Sequence, residues 1–122
     1  YNVDLSMKNI NYAKKNSKIA GIDKRISFSR MDAEWIDTKF KKGKIDKIVA
    51  KMPNSDGNEL YNEFFYQAEF ILNGKGKMVL IGNKELIEKY SSKHKFEISG
   101  QREIFSGKMK YGVFILTKQK LK

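Results

Sequence analysis

The sequence has no cysteine, one histidine and one proline, and among its 25 basic residues only Arg25, Arg30 and Arg102 are arginine. Without cysteine, disulfides and thiolate metal sites are excluded, which agrees with a reducing compartment. His94 has no cysteine and no second histidine with which to build a metal site. No apolar run approaches the length that spans a bilayer, and no signal sequence is visible, so the expectation is a soluble, cytoplasmic protein. The scarcity of arginine matters too, because arginine is the side chain that best forks phosphates and base edges.

What the chain has in plenty is lysine. Its formal charge of +11 suits a polyanionic partner such as RNA, since lysines near phosphates release condensed counterions and supply affinity without sequence preference. A compositional bias toward lysine, isoleucine and asparagine would give the same total, so charge alone leaves both readings open. At 122 residues the chain has room for one domain, 1–122, and one core that buries roughly two thirds of the unfolded surface.

Apolar spacing orders the elements. Tyr1, Val3 and Leu5 read as a short strand ending near Asp4, and Ile10, Ala13, Ile19 and Ala20 as a helix stopped by Gly21. A strand over Ile26–Arg30 delivers Asp32 and Ala33 at its end. Ile45, Ile48, Val49 and Ala50 predict a central strand buried on both faces, halted by Pro53 and Gly57. The spacing of Leu60, Phe64, Ala68, Ile71 and Leu72 predicts a helix from about Asn58 to Asn73, after which Gly74 and Gly76 turn the chain. Met78 to Ile81 predict a second buried strand and Glu85 to Lys93 another helix. The tail reads as an antiparallel hairpin turning over Ser106 to Gly112. Phe64, Phe65, Tyr66 and Phe70 read mostly as core aromatics, while Trp35 either packs or borders a nucleoside pocket.

Strands alternating with helices and closing on a hairpin resemble the class I S-adenosylmethionine-dependent methyltransferases. The implied fold is α/β, a Rossmann-like and mostly parallel sheet with a C-terminal antiparallel hairpin. In such open sheets the ligand crevice lies beyond the carboxyl ends of the strands, so Asp4, Asp32 and the Lys51 to Ser55 loop should converge there. Val3-Asp4-Leu5-Ser6, followed by Ile10, Ala13, Asn16 and Ala20-Gly21, resembles the segment that follows the glycine loop in RNA and amino-group methyltransferases. The resemblance implies that Asp4 accepts hydrogen bonds from the cofactor ribose, a task suited to the two acceptor oxygens of a carboxylate. A plain helix cap is the other reading of Asp4.

Met31-Asp32-Ala33 lies 28 residues after Asp4 and resembles the adenine-binding motif of the same family. Asp32 would then accept from the adenine amino group, and the Ala33 backbone N–H would donate to the ring. Acids also follow strands as turn formers. Lys51-Met52-Pro53-Asn54 stands where methyltransferases of exocyclic amines carry Asn/Asp-Pro-Pro-Tyr/Phe/Trp, and of that motif this sequence keeps only Pro53. Lysine cannot accept a hydrogen bond and asparagine cannot stack as an aromatic does. Asn54 or Asp56 would have to serve as the acceptor of the target amine, Lys51 being free to meet a substrate phosphate.

Three readings follow. The first is a portion of an S-adenosylmethionine-dependent methyltransferase acting on an exocyclic amine of RNA, nearest the putative RNA methylase family of the tRNA guanine-N2 type, with tRNA as partner. DNA adenine or protein glutamine methylation would leave similar traces. The second is a non-catalytic module of methyltransferase fold that holds RNA or a protein, and the third another nucleotide-binding α/β enzyme. By the resemblance, the chain starts after the family's first strand and glycine loop, so the sheet is expected to be incomplete on its N-terminal side and cofactor binding by this chain alone to be weak. The two strands flanking that gap would either pair directly or be joined by an upstream segment or a second chain.

Overall fold

The computed structural model describes residues 1–53 and 58–120. In chain order the elements are β1 (Asn2–Asp4), α1 (Met7–Ile19), β2 (Phe28–Arg30), α2 (Ile36–Lys39), β3 (Ile45–Lys51), α3 (Asn58–Ile71), β4 (Leu72–Gly82), α4 (Lys84–Lys93), β5 (Phe96–Ser106) and β6 (Met109–Lys118), with single 3-10 turns at Asp23–Arg25 and Ala33–Trp35. β1 and β2 form a parallel pair, and β3, β4, β6 and β5 a second sheet in that order. The β3–β4 pairing is parallel, whereas β6 is antiparallel to both β4 and β5. This is the α/β arrangement with a closing hairpin that the sequence predicts.

The core occupies one face of the four-stranded sheet. Tyr61, Phe65 and Ala68 of α3 and Ile87 and Tyr90 of α4 meet Met78 and Leu80 of β4, Phe96 of β5, and Phe114 and Leu116 of β6. Each large side chain taken fully from water there contributes about 1.5–3 kcal/mol before the entropy of ordering it. Of the four aromatics expected inside α3, Phe65 is fully buried, while Tyr66 and Phe70 lie on the solvent side of the helix. Trp35 is 60% exposed and neither packs in the core nor lines the cleft described below.

β3 is not buried on both faces. Ile48 and Ala50 pack toward the core, but Lys47 and Lys51 are exposed and Val49 is 81% exposed. The helices cover only one side, and among the described residues no strand pairs with the free edge of β3. Direct pairing of β1 with β3 does not occur either.

Gly74 and Gly76 lie within β4, and the chain does turn there: β3 pairs Ile45 with Leu72 and then Lys47 with Lys77, so β4 spends five residues where β3 spends two, and the Lys75 N–H donates back to the Asn73 side chain at 2.9 Å. Gly76 is needed for close approach: a Cβ there would come within 2.6 Å of the Leu72 side chain and 2.9 Å of the Asp46 carbonyl oxygen. The hairpin turn is shorter than expected, only Gly107 and Lys108, with Gly107 at φ 61°. Gly112 belongs to β6, opposite Gly82 of β4.

Candidate functional site

A cleft of about 500 Å³ runs along β3 from Ile45 to Pro53 and faces β1; at the carboxyl ends of β1, β2 and β3 it is lined by Asp4, Asp32, Ala33, Lys51 and Pro53, with Leu60 and Phe64 of α3 as apolar wall. β1 and β2 are aligned with Asp4 opposite Arg30, so Asp4 and the turn at Asp32 leave the sheet on the same side. The Arg30 guanidinium donates to the Leu5 carbonyl at 3.0 Å and the Met31 N–H to the Asp4 carbonyl at 3.0 Å, fastening the two strand ends. At the other end of the cleft the Tyr1 ring packs edge-on against Phe40, 4.8 Å between centroids.

Asp4 does not cap α1. Ser6 is the N-cap and its hydroxyl accepts from the Asn9 N–H at 3.3 Å. The Asp4 carboxylate instead accepts from the Ser6 N–H at 2.8 Å and from the Asn9 side-chain amide at 3.3 Å, one bond to each oxygen. A carboxylate oxygen has lone pairs for a further donor, so both remain competent acceptors in a fixed orientation. Asp32 caps the turn at Ala33–Trp35, with Oδ1 accepting from the Glu34 N–H at 3.1 Å.

The backbone beyond β3 is held by a tyrosine. Met52 extends the ladder by donating its N–H to the Ile81 carbonyl at 2.7 Å. The Tyr61 hydroxyl donates to the Pro53 carbonyl at 2.9 Å and accepts from the Asn83 N–H at 2.9 Å, tying the loops after β3 and β4 to each other. Burial pushes the Tyr61 phenol above its ordinary value, and the Asn83 N–H opposes that rise only in part. Lys51 projects from the end of β3 with its ammonium 5.0 Å from the centroid of the Tyr111 ring. Asn54, Ser55 and Asp56 lie outside the described residues.

Gln67 supports the site from α3. It is 2% exposed, its amide donates to the Glu34 carbonyl at 2.9 Å and to the Glu63 carboxylate at 3.1 Å, and its oxygen accepts from the Asp37 N–H at 2.7 Å. The segment that carries Asp32 and Ala33 is thereby tied to the main sheet. Sequence reasoning missed Tyr61, Gln67 and Tyr111. For Tyr61 a signal existed, because it shares a helix face with Phe65 and Ala68, and a buried tyrosine hydroxyl needs a partner. Nothing in the spacing marks Gln67, which stands among polar and apolar neighbours alike.

Among the described residues, no group of three or more histidine, cysteine or acidic side chains is placed to hold a metal, and no helix is long and apolar enough to cross a membrane.

Residues 1–110 match the family model described as RMKL-like, methyltransferase domain. No curated protein matches the sequence. Among solved structures the chain is similar to TrmN from Thermus thermophilus, at 25% identity and a TM-score of 0.81, with 95% of this chain and 35% of that one covered. It is similar in fold to a possible methylase from Clostridium difficile 630, at 22% identity and a TM-score of 0.76, over 98% of this chain and 32% of the other. A third similar fold is SMU.472, solved in complex with SAH, at 16% identity, a TM-score of 0.76 and the same coverage, 98% and 32%. The chain thus spans about a third of the length of these three. With most of its residues matched, it belongs to the RMKL-like methyltransferase domain family.

Proposed function

From this membership we propose that the chain forms the nucleoside-binding part of an S-adenosylmethionine-dependent methyltransferase that modifies an exocyclic amine of RNA in the cytoplasm. A guanine of tRNA is the target that the sequence resemblance favours, and the lysine-rich surface suits a polyanion. The observation that carries the reading is the shared cleft: Asp4, Asp32 with Ala33, and Lys51 to Pro53 come from three separate strand ends and line one cavity.

The residues fit a nucleoside cofactor. Asp4 offers two oriented carboxylate oxygens to vicinal ribose hydroxyls, and Asp32 and Ala33 offer an acceptor and a backbone donor to an adenine edge. When bound, S-adenosylmethionine supplies an electrophilic methyl group on a sulfonium. Pro53 sets the course of the backbone past Lys51, and its carbonyl is steadied by Tyr61. Asn54, next in sequence, is assigned the acceptor role toward the target amine, and Lys51 a substrate phosphate. The reading also includes a further strand, from an upstream segment or a second chain, between the open edges of β1 and β3; it would fill the part of the cleft beside Ile45 to Ala50 and leave the nucleoside the part at the strand ends, by Asp4, Asp32 and Lys51. Slow amide exchange along β3 in the full-length protein checks this, and free exchange of both edges in a stable monomer contradicts it.

The test is cofactor binding by calorimetry, and transfer of labelled methyl to bulk tRNA, by the full-length protein. Asp4→Asn is expected to weaken cofactor affinity about tenfold or more, the cost of a lost charge-assisted hydrogen bond. Unchanged affinity would remove Asp4 from the site. One observation favours a second reading, a non-catalytic RNA-binding module: Lys51 stands where an acceptor is required, and its ammonium is directed at Tyr111. A protein that binds RNA and never the cofactor would establish that module instead.

A further inference from the structure

A second concavity of about 610 Å³ opens on the other side of the β4 end. Its walls include Asn83 at the start of α4, Gln101 and Arg102 of β5, and Tyr111 of β6. The opening exists because Gly82 and Gly112 face each other in register and neither can carry a side chain. A Cβ at Gly82 would meet the Tyr61 hydroxyl at 2.5 Å, and one at Gly112 the Phe114 ring at 2.6 Å. The floor between β4 and β6 is therefore bare backbone, with the Tyr111 ring standing beside it.

Lys51 connects this concavity to the cleft of Asp4 and Asp32. It lines that cleft, and its ammonium sits 5.0 Å from the ring centroid of Tyr111, which lines the second cavity. The two cavities thus adjoin across the end of β4, the first with acceptors suited to a nucleoside and the second with an aromatic ring, amides, the cations Lys84, Arg102 and Lys110, and the carboxylates Glu85 and Glu103. Lys110 is engaged by Glu103 at 3.1 Å, and Lys84 faces Glu88 at 4.0 Å. Arg102, on the adjoining strand, enters no ion pair among the described residues, so its fork is available for a phosphate.

We propose that the Tyr111 cavity seats the RNA base, with Tyr111 as the stacking platform and Arg102 holding the neighbouring phosphate. The inference rests on the reading of the chain as part of an RNA methyltransferase and names a substrate-binding residue for it. An aromatic face is the means by which proteins hold a base taken out of its stack. The segment after Pro53 continues with asparagine and offers no ring, whereas Tyr111 stands beside the end of the same strand. The Lys51 ammonium near the ring places a cation within reach of a phosphate next to a base stacked there.

The experiment uses the full-length protein and a short single-stranded oligoribonucleotide carrying 2-aminopurine, whose fluorescence falls when the base stacks. The wild-type protein is expected to quench it on binding. Tyr111→Ala should abolish the quench and weaken RNA binding about 5- to 150-fold, the range for one lost stacking partner. Tyr111→Phe should keep both, and Phe105→Ala, on an exposed ring outside the cavity, should change neither. Cofactor affinity should be unmoved in all three. The inference is overturned if Tyr111→Ala quenches and binds as the wild type does, if Tyr111→Phe fails as badly as Tyr111→Ala, or if the protein binds no RNA. Tyr111-dependent quenching without methyl transfer would sink the enzymatic reading and leave the base site standing; transfer to RNA with Tyr111-independent binding would do the reverse.

Discussion

The β1–β2 pair and the four-stranded sheet are held by different means, although both contribute strand ends to the cleft. The larger sheet rests on a continuous core from α3 and α4, including Tyr61, Phe65, Leu72, Met78, Leu80 and Leu116 at 0% exposure. The smaller pair is three residues long on each strand, and α1 beside it buries only Ile10 and Ser17. Asp4 and Asp32 therefore sit on the part with little apolar support, while Lys51 and Pro53 sit on the consolidated part. Stability and the acids proposed to bind the nucleoside occupy separate regions, and polar tethers such as Gln67 join them.

The largest expected effect lies in the consolidated sheet. Phe65→Ala removes a fully buried ring from between Phe64, Phe96 and His94, and should lower the unfolding free energy read from amide exchange of β4 by about 3–5 kcal/mol. Ile10→Ala, at a position only 2% exposed in α1, should leave β4 protection unchanged. Equal losses in β4 from both variants would break the comparison, because the two regions would then unfold as one.

A smaller effect is expected at the tether. Gln67→Leu keeps an apolar filling but leaves the Asp37 N–H and the Glu34 carbonyl without their partner, a cost of about 1–3 kcal/mol. The comparison predicts where that cost is felt. Exchange should quicken over residues 33–39 and cofactor affinity should fall, with β4 still protected; loss of β4 protection to the same degree would show that Gln67 supports the core and not the tether.

Much of this division could be read from the sequence. Ile10, Ala13 and Ile19 place α1, and the strand ends at Asp4, Asp32 and Lys51 come together as an open α/β sheet requires. Where reading failed, tertiary contact had decided. Val49 belongs to an apolar run that looks buried on both faces, yet which faces are covered depends on where α3 and α4 pack. Gly74 and Gly76 look like turn residues and the chain does double back there, but that Gly76 must also admit the Leu72 side chain and the Asp46 carbonyl is visible only in three dimensions. Gln67 and Tyr111 act across 30 or more residues of chain, Gln67 on Asp37 and Tyr111 on Lys51, and no local spacing carries that information.

The smallest expected effect is a pH dependence confined to the consolidated region. His94 ends α4, 9% exposed, with its ring stacked on Phe65 at 6.4 Å, Nε2 bonded to Asn62 at 2.8 Å and Nδ1 3.7 Å from the Glu69 carboxylate. Burial lowers its pKa below the ordinary 6.5; Glu69 and Glu63 on α3 act to raise it, and Lys93 on α4 adds to the lowering. Since the folded value lies below the unfolded one, the unfolded chain binds more protons in the interval between them, and stability rises with pH there. The contribution of a neutral His94 is therefore full above about 6.5 and is lost as pH falls toward the folded value. Denaturant unfolding of the full-length protein, followed through β4 exchange from neutral pH downward, should show this decline, and His94→Gln should flatten it. A decline of the same size in His94→Gln would assign the titration to other groups, and a decline seen first in residues 2–30 would place the acid-sensitive contact in the small pair and reverse the comparison.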